Sequence, residues 1–417
     1  MTSAVEPVPR WGAFAFPNYR RFWISNVARV FGLQFRFIGT GWLVVSELDR
    51  SPIWIGIVGL AVALPTILLS VPAGIISDRY DTKSILVFSQ AATAALSFLL
   101  AGVILAGAAT IEFVIGWSIA VGALAALANP AQQAILPRLI DMRVMPSAVA
   151  LNSSVWNTMA IIGPAAAGVL IAVVGTGQAF FVTAVGFALS ALMVLRLRLE
   201  PVPRRPDGES GGMFEGVRFI FRNELFLATI GLSFFTSLFG ASYQRLLPIF
   251  ADDVLDVGSI GFGAMEAAIG VGGFLGTLAI LKVGAGRYAG VVMLASAAIF
   301  GLFIAAFAGS RIFPLSLTFL FLAGFSSSLY LNLGMTLLQV HVPDALRGRV
   351  MAVWSMTWFL SSVGGLPAAG AAELIGTPLA VAIGALSVTG FAACVYLGAG
   401  SLRKPVREAA PAAVAAG

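Results

Sequence analysis

Residues 150–170 read ALNSSVWNTMAIIGPAAAGVL and residues 352–372 read AVWSMTWFLSSVGGLPAAGAA. Each run has the length and the lack of charge of a helix that crosses the hydrocarbon core of a bilayer, about 20 residues. Laid on one another they pair Ala150, Ser153, Trp156, Gly163, Ala166, Ala167 and Gly168 with Ala352, Ser355, Trp358, Gly365, Ala368, Ala369 and Gly370, a constant shift of 202. Gly56, Gly59 and Gly74 meet Gly258, Gly261 and Gly276 at the same shift. Small residues coincide by chance in a glycine-rich chain; a paired serine and a paired tryptophan do not follow from that composition. The chain reads as a duplication in which each half repeats one helical plan, and such repeats place a ligand site near the bilayer midplane.

Working outward, the same criterion finds segments at Phe22–Ser46, Ile53–Ile76, Ser84–Gly107, Phe113–Leu136, Ala148–Val174 and Gln178–Leu197. Six more follow at Leu225–Phe250, Ile260–Leu281, Tyr288–Ala308, Phe313–Val340, Val350–Ala372 and Thr377–Ala399. Their sum accounts for a chain that is 59% hydrophobic and 11% charged, far from the balance of a soluble domain. The expectation is an all-α membrane protein of twelve transmembrane helices in two pseudo-symmetric six-helix bundles. An N-terminal segment (1–21) precedes the first bundle (22–197). A linker (198–224), rich in proline, glycine and charge, leads to the second bundle (225–400) and a tail (401–417).

Basic residues orient the spans, because Lys and Arg near helix ends stay on the cytoplasmic side. Arg50 and Arg311 fall in outer loops, Arg245 toward the outer end of the seventh span, and Arg29 and Arg36 inside the first. The rest of the 25 lie on one face, so both termini are expected in the cytoplasm. This asymmetry accounts for the net charge of +6 without a nucleic-acid partner. The chain has one cysteine, Cys394, and one histidine, His341, so an internal disulfide and a Cys/His metal site are not expected, and no cofactor is. No acid, base or nucleophile cluster lies at membrane depth, and no Walker-type lysine follows a glycine; neither an enzyme nor an ATP-driven pump is expected.

The loop after the second span reads Gly74-Ile-Ile-Ser-Asp78-Arg79-Tyr-Asp81-Thr-Lys83. It resembles the G-x-x-x-D-R-x-[GD]-x-[RK] signature of the major facilitator superfamily, with Asp81 where many members have Gly and Thr82 where many have Arg. The resemblance implies the major facilitator fold and a loop that controls conformational switching. Gly74 is expected to let a neighbouring helix approach, Asp78 to cap or pair at a helix end, and Arg79 and Lys83 to hold the loop in the cytoplasm. Tyr243 to Leu255 and Pro343 to Met351 further resemble the transmembrane secretion effector branch, that of siderophore exporters and macrolide efflux proteins. Gly163-Pro164 to Gly168 looks like the degenerate end of a Gly-Pro motif of antiporters in this superfamily. Pro164 removes a backbone donor, so the motif reads either as a bend that fixes export direction or as a structural kink.

In the first span, Asn26, Arg29, Arg36 and Thr40 share one helix face, interrupted by Leu33. An arginine near the bilayer centre costs at least about 2.5 kcal/mol, so Arg36 is expected to face a watery cavity or an acid. The candidate acid is Glu266, the carboxylate placed well inside a span. Two readings stand: Arg36 receives an anionic substrate group while Glu266 titrates with protons, or the two form a structural pair with Arg29 reaching the surface. Gln133, Asn157, Gln244, Asn332 and Trp358 are further cavity candidates.

The resemblance implies a secondary transporter in the bacterial inner membrane, acting as a monomer among membrane lipids. It would export a small amphipathic or siderophore-like compound or drug by proton antiport with alternating access. A lipid flippase or a nutrient importer on the same fold is the alternative.

Overall fold

Proline at a first helical turn costs no hydrogen bond, and in the computed structural model Pro17 and Pro52 open the first two helices in that way. The structure describes residues 12–199, 213–283, 288–343 and 346–403, and every element among them is helical. In chain order the helices are α1 (Pro17–Trp42), α2 (Pro52–Leu68), α3 (Ser70–Arg79), α4 (Thr82–Leu105), α5 (Ile111–Ile135), α6 (Met145–Val174) and α7 (Thr176–Leu195). They continue with α8 (Met213–Arg222), α9 (Glu224–Phe235), α10 (Tyr243–Ile249), α11 (Gly258–Val283) and α12 (Ala289–Gly309). The last are α13 (Phe313–His341), α14 (Arg347–Ile375), α15 (Thr377–Gly398) and α16 (Gly400–Arg403).

Nine helices among the described residues are long and apolar enough to cross a membrane. The other three expected spans are helical too. The first, α1, carries Asn26, Arg29, Gln34 and Arg36. The second is divided: Pro72 has no N–H for the Leu68 carbonyl, so α2 stops there and α3 begins after Leu69. The eleventh lies in α14, whose apolar part is Val363–Ile375. The seventh expected span is a relay of α9, a π-type turn Thr236–Gly240, α10 and a second π-type turn Phe250–Val254.

The duplication shows in the backbone. α5 and α13 start at Ile111 and Phe313, and α6 and α14 at Met145 and Arg347, both 202 residues apart. α1 ends in a π-type turn, Leu43–Glu47, then Leu48 and Asp49 at φ 47°; the turn Phe250–Val254 is followed by Leu255 and Asp256 at φ 49°. Aspartate tolerates this left-handed region better than most residues. Here the repeat runs at 207, and α2 and α11 start at Pro52 and Gly258, 206 apart. The glycine match at 202 in that helix pair therefore slips by about one turn, which keeps the same helix face.

The chain divides into two compact units. The first holds the described residues up to 199 together with Arg245–Ala267. Within it α4 packs on α5 and α7, and α1 on α6 and α7. The second holds 213–244 and 268–403, where α12 packs on α13 and α15, and α14 on α15. Glycine allows the closest crossings: a Cβ at Gly186 would stand 2.7 Å from the Ala28 carbonyl oxygen, and one at Gly272 would overlap the carbonyl of Phe321. Residues 213–222, expected as part of the linker, form α8.

Candidate substrate site

Four charged side chains meet inside the first unit. The helical pitch of α1 puts Asn26, Arg29 and Arg36 on one face, as the spacing predicts. Asn26 is 3% exposed and its Oδ1 accepts from Arg29 Nη2 at 2.8 Å. The Arg29 guanidinium also stands over the Trp156 ring of α6, 5.8 Å from its centroid, a cation–π arrangement. Arg29 is thus held by the protein, although its buried Nε has no partner among the described residues.

Arg36 differs. Its main-chain oxygen accepts from Thr40 Oγ1 at 2.7 Å. Its half-buried guanidinium makes no ion pair or hydrogen bond among the described residues. The charges that act on it are those of Arg245 and Arg29, both of its own sign. Arg245, from α10, lies over the Phe37 ring at 5.3 Å and beside Gly59 of α2, where a Cβ would sit 3.7 Å from its Cζ. Glu266 of α11 is 8% exposed, and its Oε1 is buried without a hydrogen bond. The cation that acts on Glu266 is Arg245. No ion pair joins Arg36 to Glu266 among the described residues.

Sequence reasoning had Arg245 as a topology marker and missed it as a member of this cluster. The available signal was its place within the seventh span, since an ionisable residue at membrane depth is a functional candidate by default. Trp156 was read only as a repeat marker. The result is a cluster of three guanidinium groups with one carboxylate, a chemistry suited to a planar anionic group bound by paired N–H donors.

The Gly-Pro motif borders this cluster. A Cβ at Gly163 would stand 2.5 Å from Gln34 Cβ of α1. Gly168 faces α11: Ser259 Oγ donates to the Gly168 carbonyl at 3.0 Å, and a Cβ at Gly263 would lie 2.5 Å from the Pro164 carbonyl oxygen. Close backbone packing between α6 and α11 is therefore what these residues do in this structure.

In the switch loop, Asp81 caps α4: its Oδ2 accepts from Ser84 N at 3.1 Å, while Oδ1 stands 3.9 Å from Arg138 Nη1. Lys83 donates to the Leu197 carbonyl beyond α7. The close approach expected at Gly74 is not made among the described residues, where a Cβ there meets nothing within 4 Å. The side chains of Asp78, Arg79 and Trp358 lie outside the described residues.

The remaining candidates are dispersed. Gln133 is exposed on α5, and Asn157 is half-buried on α6. In the second unit Gln244 is half-buried at the start of α10. Asn332 Nδ2 there donates to the Ser328 carbonyl at 2.8 Å and to Ser328 Oγ at 3.1 Å, and Ser328 Oγ pairs with Thr277 Oγ1 at 2.8 Å.

Comparison with known proteins bears on family and fold. The chain is 28% identical to the staphyloferrin A transporter of Staphylococcus aureus over 358 residues, 81% of this chain and 85% of that protein. It is 25% identical to the enterobactin exporter EntS of Shigella boydii over 384 residues, 90% and 89% of the two chains. The solved nucleoside transporter NupG superposes with a TM-score of 0.73 at 14% identity, covering 91% of this chain and 98% of its own, a likeness of fold. The description of transmembrane secretion effectors matches residues 8–410. The protein is thus a multi-pass membrane transporter of the major facilitator fold, and the chain belongs to the transmembrane secretion effector family.

Proposed function

We propose that the protein exports an anionic, siderophore-like small molecule across the bacterial inner membrane in exchange for protons. The observation that supports this reading is the charge balance of the first unit. Arg29, Arg36 and Arg245 share its interior with Glu266, which among the described residues is the one buried carboxylate. Unbalanced charge at membrane depth is costly, so the cluster is complete only when an anion joins it. Arg36, whose guanidinium has no ion pair or hydrogen bond among the described residues, is the group that receives the anion.

Proton exchange rests on the resemblance of Gly163-Pro164 to Gly168 to the antiporter motif, with Glu266 as the residue that takes up the proton. The two halves, 22–197 and 225–400, expose the cluster to either side in turn. Both termini lie in the cytoplasm in this reading, and the transporter works as a monomer. The names of the relatives support a siderophore-like cargo, and the enterobactin exporter's name supports the outward direction.

The test compares metabolites in culture supernatants of cells with and without the protein, together with flux into inside-out vesicles with and without an inward-acid proton gradient. A compound retained by the deletion strain and driven into vesicles by the gradient is the expected result. Depletion of a compound from the medium only when the protein is present would instead make it an importer. Movement of a phospholipid between leaflets without soluble cargo would make it a flippase.

A further inference from the structure

Asn223 alone separates α8 from α9, and α9 opens the membrane-crossing stretch Glu224–Val254. That connection leaves α8 at the surface of the bilayer. One face of α8 is fixed to the protein: Ile220 is buried with Phe226, Leu338, Val342 and Trp354, and the Phe219 and Phe226 rings meet edge to face at 4.9 Å. The other face is free of the core. Arg218 and Arg222, one turn apart, are exposed, and Phe221 beside them keeps 69% of its surface exposed. Glu224 belongs to the first turn of α9, where a negative charge complements the helix dipole.

A short amphipathic helix with exposed arginines and an exposed aromatic, tied to the start of a span, has the chemistry of a helix lying in the headgroup layer. We infer that α8 is a binding surface for anionic phospholipid. Arg218 and Arg222 meet headgroup phosphates, for which the guanidinium fork is suited, while Phe221 enters among the first acyl carbons. Neutral lipid offers Phe221 the same hydrocarbon but the arginines no net charge, so the surface discriminates by headgroup. The helix thereby holds the head of α9 at a fixed depth.

Because Cys394 is the single cysteine, a Cys394→Ser, Phe221→Cys protein carries one labelling position. With a polarity-sensitive fluorophore there, the protein is reconstituted in phosphatidylcholine vesicles with and without phosphatidylglycerol. The expected result is blue-shifted emission that moves further when phosphatidylglycerol is present, and a severalfold smaller response after Arg218→Gln with Arg222→Gln. Retention of phosphatidylglycerol by the purified wild-type protein should also fall severalfold in the double arginine variant. Emission characteristic of water in both vesicles, or a lipid response that ignores the arginine substitutions, overturns the inference.

Discussion

Lys83 Nζ donates to the Leu197 carbonyl oxygen at 2.8 Å, so the last residue of the switch-loop signature closes the end of α7. Asn18 grips the next residue from both sides, donating to the Arg198 carbonyl at 2.7 Å and accepting from its N–H at 3.3 Å. A cation at the exposed carbonyls of a helix C-terminus stabilises by about 0.3–1 kcal/mol. Lys83→Met should therefore lower the thermal midpoint in detergent by about one degree, and Lys83→Arg should restore it. An unchanged midpoint in Lys83→Met would show that the contact contributes nothing.

Gly263 at the crossing of α6 and α11 is required by its packing, whereas Gly59 of α2 is not. Gly263→Ala drives a Cβ to 2.5 Å from the Pro164 carbonyl oxygen and 3.2 Å from Gly168 Cα, backbone atoms that cannot yield. Overpacking of this kind costs about 1–3 kcal/mol. Gly59→Ala places its Cβ at an ordinary 3.7 Å from the Arg245 guanidinium and should be neutral within about 0.5 kcal/mol. Unfolding midpoints of the two variants, measured side by side, check the contrast.

Arg29 and Arg36 should respond to the same substitution in opposite ways. Arg29→Gln loses the bond to Asn26 and the stacking on Trp156, leaving a buried amide short of a partner at a cost of about 1–3 kcal/mol. Arg36→Gln removes a guanidinium whose charged neighbours are Arg245 and Arg29, so stability should hold or rise while transport of an anionic cargo falls tenfold or more. Equal loss of stability in both variants would contradict a receptive role for Arg36.

Glu266→Gln fixes the cluster in the form that a proton would produce. Binding of cargo should persist, but efflux should lose its dependence on pH and on the proton gradient. Radiolabelled counterflow without a gradient, set beside gradient-driven efflux, separates the two. A variant whose efflux still follows pH as the wild type does would remove Glu266 from the coupling.

Most of the helical plan was legible because it depends on length and polarity alone. The segments that became α6 and α14 carry their 202 spacing in the sequence, and those that became α5 and α13 stand out as spans, since both are written in runs of apolar residues. The division after Leu68 was signalled by Pro72, but a hydropathy run does not register a single missing N–H. The π-type turns at Leu43–Glu47 and Phe250–Val254 carry no comparable mark, because neither Leu-Val-Val-Ser-Glu nor Phe-Ala-Asp-Asp-Val dictates that one extra residue enters a turn. α8 was hidden by the charge of its surroundings, although Arg218 and Arg222 are spaced one turn apart.

The site was legible in part for the same reason. The α1 face could be drawn because one helix has a fixed pitch, and Asn26 and Arg29 do meet on it. The companion of Glu266 could not, because it depends on how α10 and α11 lie against one another. No ion pair joins Arg36 to Glu266 among the described residues, and the cation whose charge acts on Glu266 is Arg245.

Gly175 (φ 97°) is the only residue between α6 and α7, and Gly376 (φ 85°) the only one between α14 and α15. A joint of one residue has no slack: when α6 tilts, α7 must be carried with it, as one arm of a hairpin carries the other. α6 holds the Gly-Pro motif and α7 ends where Lys83 fastens it. A tilt of α6 should therefore displace α7 and, with it, the Leu197 carbonyl that Lys83 holds.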